Sequence, residues 1–390
     1  MSSRDYYCNH KFRFLKIDLE SRITYNCHAA KPHRIDLNWL SSNPGQLFNN
    51  PVSVQEREQM LRNERNSSCE QNCWRAEDQG LPSPRLYTVG QDRTHTQVLT
   101  TPKVIDITLN TDCNLVCTYC SKENSTSWRN DLIQNGSYNI ESEPDRYQLT
   151  NTDKILSKLS QEERFNAVAT ENVLAEISRL SPTAETIVIS GGEPFLSRYL
   201  IDIVKQNTQA PIIKIFTGTG VNFKRFERLI NDLVQYKNVS LALSIDCVGK
   251  AYEFNRYGMK WDDWLKKIEL LKKLNMPFNF SSVISNLTVW NFAELYRLFD
   301  SYEFKIECVY NPNFLSAYIM DDKTKEQTMR QIDDLKFDKK QFILDSMKAT
   351  PSERQRKDLS VFLHEFVRRR PDLDLSVFPT TFQHWIEHVV

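Results

Sequence analysis

Three cysteines, Cys113, Cys117 and Cys120, constrain this chain more than any other feature of its sequence. They follow directly on a stretch in which Ile105, Ile107 and Leu109 alternate with polar residues, the pattern of a strand with one buried face. In parallel α/β sheets, sites form at the carboxyl ends of strands, so thiols gathered there suit a catalyst. The number of ligands sharpens the expectation. Iron–sulfur cubanes usually take four cysteine thiolates, and three leave one iron open. Catalytic zinc sites differ from closed structural ones in the same way. A zinc site would need a fourth ligand nearby, and no histidine lies in the stretch that follows.

The rest of the chain reads as a scaffold for such a loop. Further strands are expected at 186–190, 212–217, 239–246, 278–284 and 304–309, with helices at 223–236, 261–274 and 291–302 between them. Six strands alternating with helices imply βαβ units and a parallel sheet, which could close partway into a barrel. Three regions follow: 1–100, 101–312 and a charged helical stretch over 313–390. In the first, residues 12–19 and 23–25 read as a strand and its return, 51–66 as a helix, and Pro82 and Pro84 as a linker. The polar segment 124–163 reads as an irregular insertion before a helix near 170–180. The basic run Arg368–Arg370 reads as a solvated helix end.

Composition narrows the function classes. Lysine plus arginine equals aspartate plus glutamate at 50 each, which argues against a general nucleic-acid binder. No stretch approaches the ~20 apolar residues of a membrane helix, and residues 1–16 lack a signal-peptide core. A cytoplasmic protein is expected, where thiols stay reduced and nine cysteines call for metal or cluster ligation rather than disulfides.

Cys113-x3-Cys117-x-Tyr119-Cys120 resembles the signature of the radical S-adenosylmethionine (SAM) superfamily. Other motifs stand in the order that resemblance requires. Ser190-Gly191-Gly192-Glu193-Pro194 is similar to the segment that binds the SAM amino group. Ser244 and Asp246 match positions used on ribose hydroxyls, and Arg256 an arginine that pairs with the SAM carboxylate. Val283 could pack on adenine or belong to the core. The resemblance covers roughly 104–309 and implies a partial (β/α)6 TIM-like barrel. It also implies a [4Fe–4S] cluster held by three cysteines and SAM, and reductive cleavage of SAM to a 5′-deoxyadenosyl radical. An external electron donor, such as flavodoxin or ferredoxin, would supply the electron.

Four more cysteines, Cys8, Cys27, Cys69 and Cys73, make a complete set of thiols. This part resembles the auxiliary-cluster region of SPASM/twitch radical SAM proteins, with Trp74 and Glu77 after the closing pair. Here the module precedes the barrel, as in a group of twitch-domain proteins common in phage and marine bacterial genomes. A second [4Fe–4S] cluster, a zinc site and free thiols remain open for it. His10 and His28 read as neighbours of the thiols rather than ligands, and Cys247 and Cys308 as buried core residues. The resemblance implies hydrogen abstraction from a peptide or protein side chain. A nucleotide, sugar or other small molecule is the alternative, and a non-catalytic iron–sulfur or zinc protein the remote one. The sequence names no general acid, base or radical relay.

Overall fold

The computed structural model describes residues 5–28, 30–78, 83–87, 95–160, 164 and 167–388. Its strands are β1 (Phe14–Asp18), β2 (Ile23–Tyr25), β3 (His33–Arg34), β4 (Val104–Thr108), β5 (Val116–Cys117), β6 (Thr186–Ser190), β7 (Ile212–Thr217), β8 (Val239–Ser244), β9 (Arg256–Tyr257), β10 (Phe278–Ile284) and β11 (Phe304–Cys308). All six strands expected of the parallel sheet are present, and the fold is α/β with parallel strands. The chain divides into two units, Met1–Asn110 with Gln161–Ile215 and Gln235–Ser240, and Thr111–Ser160 with Phe216–Val234 and Leu241–Val390.

In the first unit the strand order is β7-β6-β4-β1-β2-β3. β1, β4, β6 and β7 run parallel, and β2 and β3 return antiparallel beside β1. Register explains the core. Leu15, Ile105, Ile187 and Ile213 form one row across the strands, and Ile17, Ile107, Ile189 and Ile215 the next. All eight are fully buried. β-Branched isoleucine favours the extended backbone, and burying each such side chain contributes about 1.5–3 kcal/mol. The opposite face of the same strands carries Lys16, Asp106 and Lys214 in register with Val188. The helix Pro51–Leu61 starts with Pro51 in its first turn and Asn50 accepting from the Ser53 amide.

In the second unit β8, β10 and β11 are parallel, while β5 and β9 form a short antiparallel ladder that pairs Cys117 with Arg256. Helices follow the expected strands at Phe223–Leu233, Trp261–Lys273 and Phe292–Leu298, and four more lie between 322 and 387.

Three expectations are corrected. The segment from Asn124 is not irregular: it folds into helices Thr126–Asn135, Pro144–Tyr147 and Asn151–Leu156. Ser125 caps the first through the Trp128 amide, and Gly136 at φ +83° ends it. Glu163 and Pro82 lie outside the described residues. The run Arg368–Arg370 is not uniformly solvated. Arg369 and Arg370 are buried and pair with Asp131 at 2.7 and 2.9 Å, and Arg369 also with Glu365. Cys308 is half-buried rather than part of the core, while Cys247 is buried as expected. Among the described residues, no helix is long and apolar enough to cross a membrane.

Candidate functional site

The loop carrying Cys113, Cys117 and Cys120 is held from several directions within the second unit. Thr126 both donates to the Cys113 carbonyl and accepts from the Cys113 amide, each at 3.1 Å. Ser125 Oγ donates to the Leu115 carbonyl, and Trp128 Nε1 to the Cys117 carbonyl at 2.8 Å. Asn255 accepts from the Thr118 amide and hydroxyl. Gly258, at φ +107°, lies against the outside of the loop. A Cβ there would meet the Asn114 carbonyl oxygen at 2.9 Å, so a side chain is excluded.

Asp246, Arg256, Tyr119 and Val283 converge beside the thiols. Asp246 lies just past the end of β8 and is fully buried, whereas Ser244 on the strand is half-buried. Asp246 Oδ1 accepts from the Val283 amide at 2.8 Å. Its Oδ2 accepts from Arg256 Nε at 2.8 Å and from the Tyr119 hydroxyl at 3.0 Å. Arg256 also donates to the Tyr119 hydroxyl, and its Nη1 lies 3.9 Å from Cys117 Sγ. Both carboxylate oxygens of Asp246 are thus occupied by the protein. Burial opposes the charge on Arg256, but Asp246, Tyr119 and Cys117 outweigh it and keep the guanidinium protonated. Burial pushes the Cys117 thiol far up, against the pull of Arg256, and raises Cys120 as well. Cys247 contributes no open thiol: its Sγ sits 3.7 Å from Asn255 Nδ2 in the core.

Gly191, Gly192 and Glu193 lie in the first unit. Gly191, at φ +149°, has no room for a side chain, because a Cβ would fall 2.9 Å from the Asn110 carbonyl oxygen. That carbonyl also accepts from the Gly192 amide at 2.8 Å. The glycine is therefore demanded by the chain's own backbone, which the sequence does not reveal. Glu193 is buried and accepts from the Phe195 amide at 3.0 Å.

The four-thiol set also lies in the first unit. Cys8, Cys69 and Cys73 are buried with Tyr7, Phe12, Met60 and Trp74. Burial pushes the Cys8 thiol up to about 12, and Cys27, Cys69 and Cys73 each add to the rise. Burial lifts Cys69 to about 11, with Cys27 and Cys73 again adding. His10 and His28 engage other groups: His10 stacks on Phe14, and His28 lies 3.7 Å from Asp106. Glu77 pairs with Arg85 at 2.6 Å.

Among the described residues, no three His, Cys, Asp or Glu side chains come close enough to hold a single metal ion. Three cysteine thiols on one loop are a donor set that fits a cluster with one iron left open. Near the loop, Arg146 donates through Nη2 to the Tyr119 carbonyl at 2.6 Å. Sequence reasoning missed Arg146, since a single arginine in a polar insertion carries no spacing signal.

Residues 107–299 match the family model described as the radical SAM superfamily. Among solved structures, the chain is similar to native anSMEcpe with bound AdoMet, at 14% identity and TM-score 0.37, covering 59% of each chain. It is also similar to Streptococcus suis SuiB bound to S-adenosylmethionine, at 12% identity and TM-score 0.37, covering 76% of this chain and 62% of that one. SuiB bound to its precursor peptide SuiA aligns over 93% of this chain and 70% of that one, at 11% identity and TM-score 0.32. The alignment spans about three fifths of the first of these chains. A comparison with curated proteins found no match.

Proposed function

We propose that this chain, which matches the radical SAM superfamily model over residues 107–299, is a radical SAM enzyme that abstracts hydrogen from a peptide or protein side chain. The observation that carries the reading is the loop of Cys113, Cys117 and Cys120. It offers three thiols and is pinned on each side by Thr126, Trp128 and Asn255. In this reading the three hold a [4Fe–4S] cluster. Bound there, the cluster supplies the electron that cleaves SAM to a 5′-deoxyadenosyl radical.

The chain's own residues divide the remaining work. Glu193, with Gly191 and Gly192, receives the SAM amino group, and Ser244 and Val283 the nucleoside. Asp246 holds Arg256 and Tyr119 against the loop, because its oxygens are already engaged. Arg256 presents positive charge at Cys117 and to the SAM carboxylate. In this reading 101–312 is a partial (β/α)6 barrel that forms the scaffold, with 313–390 as a helical tail. Residues 1–100 form a twitch-like region whose four thiols hold a second [4Fe–4S] cluster. Its closed ligand set suits taking up the electron lost when a substrate is oxidised after hydrogen abstraction. A flavodoxin or ferredoxin is the electron donor.

The test is anaerobic reconstitution with iron and sulfide, followed by SAM and dithionite. Iron bound at the three-cysteine loop and formation of 5′-deoxyadenosine are expected. Reconstituted protein that never yields 5′-deoxyadenosine refutes the reading.

A further inference from the structure

The helices that replace the expected irregular insertion fold back on the cysteine loop. Lys122, two residues past Cys120, is buried and donates to the Gln148 carbonyl and to Asp153 at 3.1 Å. Immediately before Gln148 lies the one-turn helix Pro144–Tyr147, and from it Arg146 reaches the loop. Its Nη2 donates to the Tyr119 carbonyl at 2.6 Å, and its Nη1 to Asn311 Oδ1 at 3.2 Å.

Two arginines therefore flank the loop. Arg256 lies against Cys117, and Arg146, from a different segment, grips the residue that joins Cys117 to Cys120. We propose that Arg146 is a positioning residue of the three-cysteine site: it fixes Tyr119 and sets the reduction potential of the cluster by placing a positive charge on its Cys120 side. The inference rests on the cluster assignment made above. The Tyr119 carbonyl that Arg146 grips is joined directly to the Cys120 amide, so the guanidinium stands beside Cys120. A cluster gains negative charge on reduction, so a nearby guanidinium stabilises the reduced form. Potentials of such clusters follow local charge and hydrogen bonds to the sulfurs.

The experiment compares reconstituted wild-type protein with Arg146→Gln and Arg146→Lys, by iron content and by redox titration read in the electron paramagnetic resonance spectrum. Arg146→Gln should keep its iron and lose about tenfold in the reduction equilibrium, a shift of about 59 mV to lower potential for one electron. Arg146→Lys should return most of that shift, because it restores the charge. An Arg146→Gln protein with full iron and an unchanged potential overturns the inference, as does a lysine variant shifted as far as the glutamine one. If the glutamine variant holds no cluster, the lysine variant decides. Cluster retained at near wild-type potential supports a charge-borne role, and cluster lost in both variants refutes it. A wild-type protein that binds no iron through Cys113, Cys117 and Cys120 removes the cluster assignment itself, an outcome distinct from all of these.

Discussion

Asp246 shows how a residue can be legible in sequence while its partners are not. Its spacing from Ser244 suggested a side chain facing ribose. In the folded chain the strand stops at Ser244, and Asp246 turns into a buried site with Arg256, Tyr119 and the Val283 amide. Breaking a buried ion pair by neutralising one member leaves the other charge uncompensated, at a cost of about 3–5 kcal/mol. Asp246→Asn keeps the shape and removes the charge. We expect chemical denaturation to report that loss, and calorimetry to report weaker SAM binding through the displaced Arg256. Unaltered stability and affinity would mean that Asp246 holds nothing. Cys113→Ala belongs to the same scale and should abolish SAM cleavage, since it removes one of the three proposed ligands; retained turnover would exclude Cys113 as a ligand. The cysteines and Asp246 stand out in the sequence because spacing marks them. Arg146 and Asn255 do not, because their roles depend on backbone carbonyls and side chains brought in by folding.

The elements were read well where periodicity is strong. β4, β6 and β7 carry a buried isoleucine at every second position, and their ends fall at or within two residues of the expected positions. The helices after Asn124 were missed for a physical reason. Trp128, Tyr138 and Tyr147 have no regular spacing, and Lys122, Arg129 and Asp153 look like surface residues until their pairing is known. The elements around the four thiols were legible only as a strand pair and a helix. The structure adds a buried ion pair, Lys11 with Glu56 at 2.6 Å, which also engages Ser68 beside Cys69. Removing one thiol from this set should release one cluster. Cys69→Ala is expected to lower bound iron by about four atoms, the content of a cubane on four thiolates, while some SAM cleavage remains. Iron counting on reconstituted protein checks this, and unchanged iron would take the second cluster out of the scheme. Thiols raised to about 11 and 12 also imply that metal loading displaces protons, so uptake should slow as the pH falls.

The last eighty residues carry no chemistry in their sequence, yet they close the second unit over the insertion. Phe362 and Phe366, on the helix Glu353–Arg368, pack with Trp128, Tyr138, Tyr147 and Phe314. Arg369 and Arg370 then pass into the interior, where Asp131 takes both guanidinium groups and Glu365 one. Trp128 is shared between this cluster and the Cys117 carbonyl, so the tail and the cysteine loop lean on one side chain. The connection was invisible in sequence because Asp131 and Arg369 stand more than two hundred residues apart, and an arginine run ordinarily marks solvent. It makes a specific demand on stability. Asp131→Ala leaves two buried cations with one remaining acid, and should cost about 3–5 kcal/mol in chemical denaturation. Because the insertion would loosen around Trp128, the variant should also retain less iron at the three-cysteine loop, while the four-thiol site in the other unit keeps its own. Iron counting in an Asp131→Ala, Cys69→Ala double variant isolates the first site. Full iron there, in protein with reduced stability, would show that the tail stabilises the fold without supporting the loop.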